Sequence, residues 1–315
     1  MITSLFRKST PFNYALVILL VLIFFFLYQF HHTSLPNSVV TYLQKAGLLA
    51  LLLGSHFTIN FIGKKNGLSR ESAYIVLFYL LFLLFFPSVL DNTNLIISNF
   101  FILLAFRRLI SLQSPMSSKE KIFDASLWVF VAALFHFWSI LFILLIFISI
   151  LFNVARDYRN WVIPFIAFFA VSIIFILLST IFDKNLVNDF LQSTSVNYKL
   201  DYFVNNYQNS AFSLYTTIAL FFVVSLILTL SKRPVMLHSS YKKILSYFFI
   251  GIVVFLISSH KSNDILLFTI APLSIMATAQ IEAPQAKIRQ EIVLFVLIGC
   301  SLFAFFSQLQ FVTIR

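Results

Sequence analysis

Ten stretches of this chain run almost free of charge for about one membrane thickness each: 12–31, 39–62, 72–90, 94–111, 122–152, 160–182, 211–230, 244–260, 264–280 and 291–310. About 20 apolar residues suffice for a helix to cross a bilayer. In hydrocarbon every backbone N–H and C=O must be paired within the protein, which leaves helices or a closed barrel. The runs lack the polar/apolar alternation of a barrel strand. The expected fold class is therefore all-α, a polytopic transmembrane helical bundle. Composition agrees, with 60% of the residues hydrophobic and only 10% charged. A soluble domain would carry about 25% charged residues.

A net charge of +11 invites a nucleic-acid reading, but its distribution argues for a membrane one. The basic residues cluster in short connectors, as orientation signals do: Arg7-Lys8, Lys64-Lys65-Arg70, Arg107-Arg108, Lys119-Lys121, Arg156-Arg159, Lys232-Arg233, Lys242-Lys243 and Lys287-Arg289. Nucleic acid is not expected as a partner. With the N-terminus in the cytoplasm, alternation works through Arg108 and then fails at 122–152, which has basic residues at both ends. That run is also too long for one crossing. A short-armed hairpin turning near His136-Phe137-Trp138 resolves both problems, with arms of about 15 residues, or about 22 Å. The count becomes about 11 helices, with the C-terminus in the periplasm and 17 of the 22 Lys and Arg in the cytoplasm. Residues 1–315 read as a single integral membrane domain, with 183–210 as an outer-side loop. The segment after Arg7-Lys8 is longer than a signal-peptide core and is expected to be a retained helix. The single Cys300 allows no disulfide framework.

Ionisable groups at membrane depth are costly and invite a functional reading. Asp91, in PSVLDNTNL, is either a turn residue capping the next helix or a carboxylate for base or divalent-metal work. Lys45 either snorkels to the outer interface or holds a lipid phosphate. His260, Lys261 and Asp264 form the polar turn SSHKSND, a hairpin loop or a basic pair facing an anionic headgroup. His31, His32, His136 and His260 fall on the outer side, but none pairs at i, i+4, so a histidine metal site is not expected. His56 and His238 are expected to be structural. No GxSxG, Walker A, HExxH or CxxC pattern occurs.

Two stretches resemble the membrane half of the GT-C superfamily of glycosyltransferases. The first comprises GKKNGLSRES, FFPSVLDNTN, NLIISNFFILLAFRRLISL and the hairpin DASLWVFVAALFHFWSILFILLIFISILF; the second is FLISSHKSNDILLFTIAPLSIMATAQ. The whole chain also resembles an uncharacterised family of Phe-rich inner-membrane proteins of Bacteroidota, which brings no known activity with it. The GT-C resemblance implies transfer of sugar from a polyprenyl-phosphate carrier. Carried over residue by residue, it matches Asp91 to the acidic residue of the family's second outer loop, and the catalytic role falls to Asp91, or to His31 or His32, because the first outer loop lacks its acid. The resemblance makes Lys45 and Lys261, with His260, the phosphate-binding residues. Tyr198 and Tyr202 would stack on sugar. The departure is the first outer loop, HHTSLPN, which has no acid where the family carries one. The leading expectation is a GT-C-like protein of the cell inner membrane acting on a polyprenyl-phosphate-linked glycan or similar lipid, with no cofactor beyond a divalent metal at Asp91. The alternatives are a non-catalytic membrane subunit or scaffold with a membrane-protein partner, a lipid or small-molecule transporter, and, least favoured by the histidine geometry, an oxygenase.

Overall fold

The computed structural model describes residues 2–32, 39–114, 116–182, 185–192, 194–198, 205–259, 261–284 and 286–310. Among them every regular element is helical. Among the described residues eight helices are long and apolar enough to cross a membrane: Pro11–His31, Val39–Lys65, Thr93–Gln113, Arg159–Phe182, Asn206–Lys232, Val235–Ile257, Asn263–Ile281 and Ile288–Leu309. Two shorter apolar helices, Tyr74–Leu83 and Phe137–Asn153, accompany them. The protein is a multi-pass membrane protein. The fold divides into two compact units.

The first unit comprises Met1–Ile96, Asp201–Arg233 and Ile270–Arg315. It begins with α1 (Ile2–Phe6), α2 (Pro11–His32), α3 (Val39–Lys65) and α4 (Tyr74–Leu83). Gly63 of α3 packs against Ile75 of α4, whose Cδ1 occupies the space that a Cβ at this position would take. The following turn needs the left-handed backbone of Gly67, at φ +64°. Pro87, which cannot donate to a helix, opens a separate 3₁₀ turn, Pro87–Asp91. The apolar run 72–90 is thus a short helix followed by a turn rather than one continuous span. Phe78, Phe82, Phe85 and Phe86 pack edge-on or tilted against Tyr215 and Phe222, and edge-to-face aromatic pairs add to simple area burial.

The second unit comprises Ile97–Leu200 and Pro234–Thr269. Helix α5 (Thr93–Ile110) enters it from the first unit and leads to α6 (Ser118–Phe135), α7 (Ile143–Asn153), α8 (Arg159–Phe182) and α9 (Asn185–Gln192). At His136 the backbone is extended, with φ −141° and ψ 101°. A 3₁₀ turn, Phe137–Phe142, follows. Lys119 Nζ lies 3.3 Å from Asp157 Oδ2, so the two ends of the 118–157 segment sit together and the chain doubles back at His136. Helix α6 packs along α8 through Phe130, Ala167 and Val171.

The remaining elements are α10 (Asn206–Thr229), α11 (Val235–Ile257), α12 (Leu267–Ile281) and α13 (Lys287–Gln310). Helix α11 starts at Val235, nine residues before the apolar run that announced it at 244. Lys242 and Lys243, read from sequence as a loop, therefore lie on a helix. Lys243 is fully buried, and its ammonium donates to the carbonyl of Leu109 at 2.8 Å. That carbonyl belongs to the last turn of α5, where the helix leaves acceptors unpaired and favours a cation.

Candidate functional site

The first unit places polar groups at two ends. At one end, Asp91 closes the 3₁₀ turn Pro87–Asp91 and forms an ion pair with Lys45 of α3. The capping role that Asp91 could have had falls to its neighbour: Asn92 Oδ1 accepts from the N–H of Leu95 at 3.2 Å at the start of α5. The carboxylate is thus spared from capping and directed to a lysine distant in sequence. The two side chains are 35% and 26% exposed. They are shielded enough to be oriented and open enough to be reached.

A cleft of about 440 Å³ adjoins the pair, lined by Tyr28, Ser88, Asp91, Asn92, Thr93 and Asn94. The lining is rich in hydroxyls and amides, which match the alternating donors and acceptors of a polyol. Behind it the buried amide of Gln29 donates to the Leu90 carbonyl at 3.3 Å, tying α2 to the turn that carries Asp91. The sequence did not single out Gln29, Ser88 or the Asn92–Asn94 run. The usable signal was the density of Asn, Thr and Ser in SVLDNTN beside an ionisable residue. Among the described residues no three His, Cys, Asp or Glu side chains gather as a metal site.

At the other end of this unit, the N-terminal segment lies over the α3–α4 turn. Ser9 N–H donates to the Glu71 carbonyl at 2.9 Å and Ala73 N–H to Phe6 at 3.0 Å. Glu282 Oε2 accepts from the Arg70 N–H at 2.8 Å, and its Oε1 accepts from Ser69 and Ser72. The α2 helix runs from this end to the Asp91 end.

In the second unit, Lys261 donates to the Asn197 carbonyl. Tyr198 beside it is 77% exposed. Trp138, just past the reversal at His136, donates to the Ser195 carbonyl at 3.3 Å. The turn after α11, the 194–198 segment and the hairpin tip thus share one end of the unit. Asp264 is buried at the start of the turn leading into α12. At the opposite end, Arg108 pairs with Asp124 at 2.8 Å and Lys119 with Asp157. Asp157 is outside the apolar helices, and its carboxyl is held below the usual carboxylate range, first by the Arg159 N–H and then by Lys119.

The structure brings Asp91 and Lys45 together in one site. Lys261 and Tyr198 lie in the second unit. His260 and Tyr202 lie outside the described residues. His56, within α3, is buried edge-on against Tyr79 at 4.6 Å, with Nδ1 at 2.8 Å from the Leu52 carbonyl, which fits its expected structural role.

No curated protein and no solved structure matches the chain. A family model described as "Family of unknown function (DUF6427)" matches residues 1–314. The match spans essentially the full length, and the chain belongs to the DUF6427 family.

Proposed function

We propose that this protein is a GT-C-like inner-membrane protein that handles a polyprenyl-phosphate-linked glycan or a similar lipid substrate at the Asp91 cleft. The observation that carries this reading is the Asp91–Lys45 pair beside a cleft of hydroxyls and amides, with Asn92 taking over the capping of α5. Glycosyl transfer from a lipid phosphate needs a base for the acceptor hydroxyl and positive charge at the leaving phosphate. One of each stands here. A phosphate arriving at Lys45 competes for the ammonium and frees Asp91. The acceptor oxygen then bonds to the anomeric carbon and its proton passes to Asp91. The bond from that carbon to the phosphate oxygen breaks, and the phosphate leaves with the electron pair. In this reading a divalent metal at Asp91 is the alternative electrophile.

The same reading has the chain cross the membrane eleven times, 122–152 counted as a two-armed hairpin, with the N-terminus cytoplasmic and the C-terminus periplasmic. Supporting it, the basic ends of each unit's helices gather apart from the Asp91 and Lys261 ends. A second reading is a non-catalytic scaffold. It is favoured by the missing acid in HHTSLPN and by the pair's capacity to act simply as a clamp between α3 and the 3₁₀ turn.

Mass spectrometry of lipids copurifying with the wild type, Lys45→Gln and Asp91→Asn separates the two. A polyprenyl phosphate retained by the wild type and by Asp91→Asn, but lost from Lys45→Gln, supports the first reading. Ordinary phospholipid alone in all three, with a stoichiometric protein partner, supports the second.

A further inference from the structure

The end of the first unit opposite Asp91 carries two adjoining clefts that the reading above does not use. One, of about 780 Å³, is lined by Lys8, Ser9, Thr10, Lys64, Ser69, Arg70 and Glu71. The other, of about 810 Å³, takes in Arg7, Lys8, Arg70, Glu71, Ser72, Tyr74 and Glu282. Lys8, Arg70 and Glu71 border both. Four cations thus face two carboxylates, and the carboxylates do not cancel them. Glu282 spends its oxygens on the Ser69 and Ser72 hydroxyls and the Arg70 N–H. Arg7, Lys8, Lys64 and Arg70 are in no ion pair among the described residues. Lys64 is instead placed by neutral groups, donating to Ser9 Oγ and lying 4.9 Å from the Tyr14 ring centroid. A cation that served only to orient the chain in the membrane would need no such positioning; a scatter around the connector would suffice.

We propose that this paired cleft binds the phosphate group of an anionic phospholipid. Arg70 and Arg7 provide the planar donors suited to phosphate oxygens, Lys8 and Lys64 provide point charge, and Ser9 provides a hydroxyl donor. The phosphate arrives on a lipid because the chain beside the lining residues Ser4, Thr10 and Gln290 carries exposed apolar side chains within two residues of them: Leu5 at 43%, Phe12 at 66% and Ile288 at 73% exposure. Basic residues at a membrane surface each contribute roughly fivefold to anionic-lipid binding.

The test is native mass spectrometry of the full chain in detergent, titrated separately with phosphatidylglycerol, phosphatidylcholine and inorganic phosphate. The wild type is compared with Arg7→Gln/Lys8→Gln/Arg70→Gln and with a control, Lys119→Gln/Arg156→Gln/Lys242→Gln, that removes equal charge from the second unit. The expected result is preferential binding of phosphatidylglycerol by the wild type, about a hundredfold weaker in the cleft variant and nearly unchanged in the control. Equal losses in both variants would overturn the cleft in favour of diffuse charge. Binding of inorganic phosphate without phosphatidylglycerol would overturn the lipid as carrier. Melting of the cleft variant without added lipid, unchanged from wild type, excludes misfolding as the cause of a loss; a large drop there would overturn the assignment of these cations to ligand rather than to structure.

Discussion

Replacing Gly251 by Ala measures how tightly α11 is seated on the chain that leads into α12. An alanine Cβ at this position would lie 2.9 Å from Thr269 Cγ2, 3.4 Å from the Phe268 carbonyl carbon and 3.5 Å from Phe268 Cβ. Carbon atoms pack best at about 3.5–4.0 Å, so Thr269 must yield by roughly half an ångström or more. It is poorly placed to do so. It is β-branched and 1% exposed, and its hydroxyl donates to the Leu266 carbonyl at 2.6 Å. Overpacking of this kind costs about 1–3 kcal/mol, against about 1 kcal/mol gained when Ala replaces Gly inside a helix. Gly299→Ala in α13 carries the same helical gain and meets nothing within 4 Å. The difference between the two variants is therefore the packing cost alone, about 1–3 kcal/mol. Thermal unfolding in one detergent, followed by tryptophan fluorescence, should place Gly251→Ala several degrees below Gly299→Ala. Adding Thr269→Ser, which removes Cγ2 and keeps the hydroxyl, should recover most of the loss as coupling between the two sites. A Gly251→Ala protein as stable as Gly299→Ala, or an unrescued double variant, would refute the argument.

The partly exposed Lys45–Asp91 pair should matter little to folding, about 0–1 kcal/mol by the usual worth of such pairs, so Asp91→Asn and Lys45→Gln should purify and melt like the wild type; a large drop in melting temperature would make the pair structural. Lys243→Glu should greatly reduce folded protein in fluorescence-detected gel filtration, because it sets a buried carboxylate against the Leu109 carbonyl. Lys242→Glu, on the exposed face next to it, should not, and equal effects would contradict the burial argument. The Asp157 carboxyl is depressed in the folded state, so its contribution to stability is present above the ordinary carboxylate pKa and is lost as pH falls through its folded value. In an NMR titration Lys119→Gln should move that value only part of the way up, since the Arg159 N–H remains; no movement would remove Lys119 from the site.

What the sequence disclosed of the fold follows from how lipid constrains a chain. Apolar runs mark spans because unpaired backbone is costly in hydrocarbon. The doubling-back of 118–157 was legible because Lys119 and Arg159 flank a run too long for one crossing and too symmetric in charge. Less legible were helix starts outside the apolar part. Val235 to Lys243 reads as a polar connector, and only a neighbouring helix end, with a carbonyl to satisfy, makes a buried lysine there tolerable. Pro87 signalled that 72–90 could not be one helix, but its effect was hidden within an apolar run. Asp91 and Lys45 could each be singled out by cost. Their pairing could not, because it depends on α3 and the turn after α4 meeting in space, and because Asn92 rather than Asp91 caps α5. The short α9 was lost in a polar loop of mixed composition.

The topology proposed above has the Asp91 cleft and the Lys261 turn open to the periplasm and the basic end of the first unit facing the cytosol. In a Cys300→Ala background, single cysteines at Asn94, Ser262 and Glu71 can be challenged with an impermeant thiol reagent on intact spheroplasts. The account requires labelling of Asn94→Cys and Ser262→Cys, and labelling of Glu71→Cys only after the membrane is opened. Labelling of Glu71→Cys in intact spheroplasts, or protection of either of the other two, would contradict it.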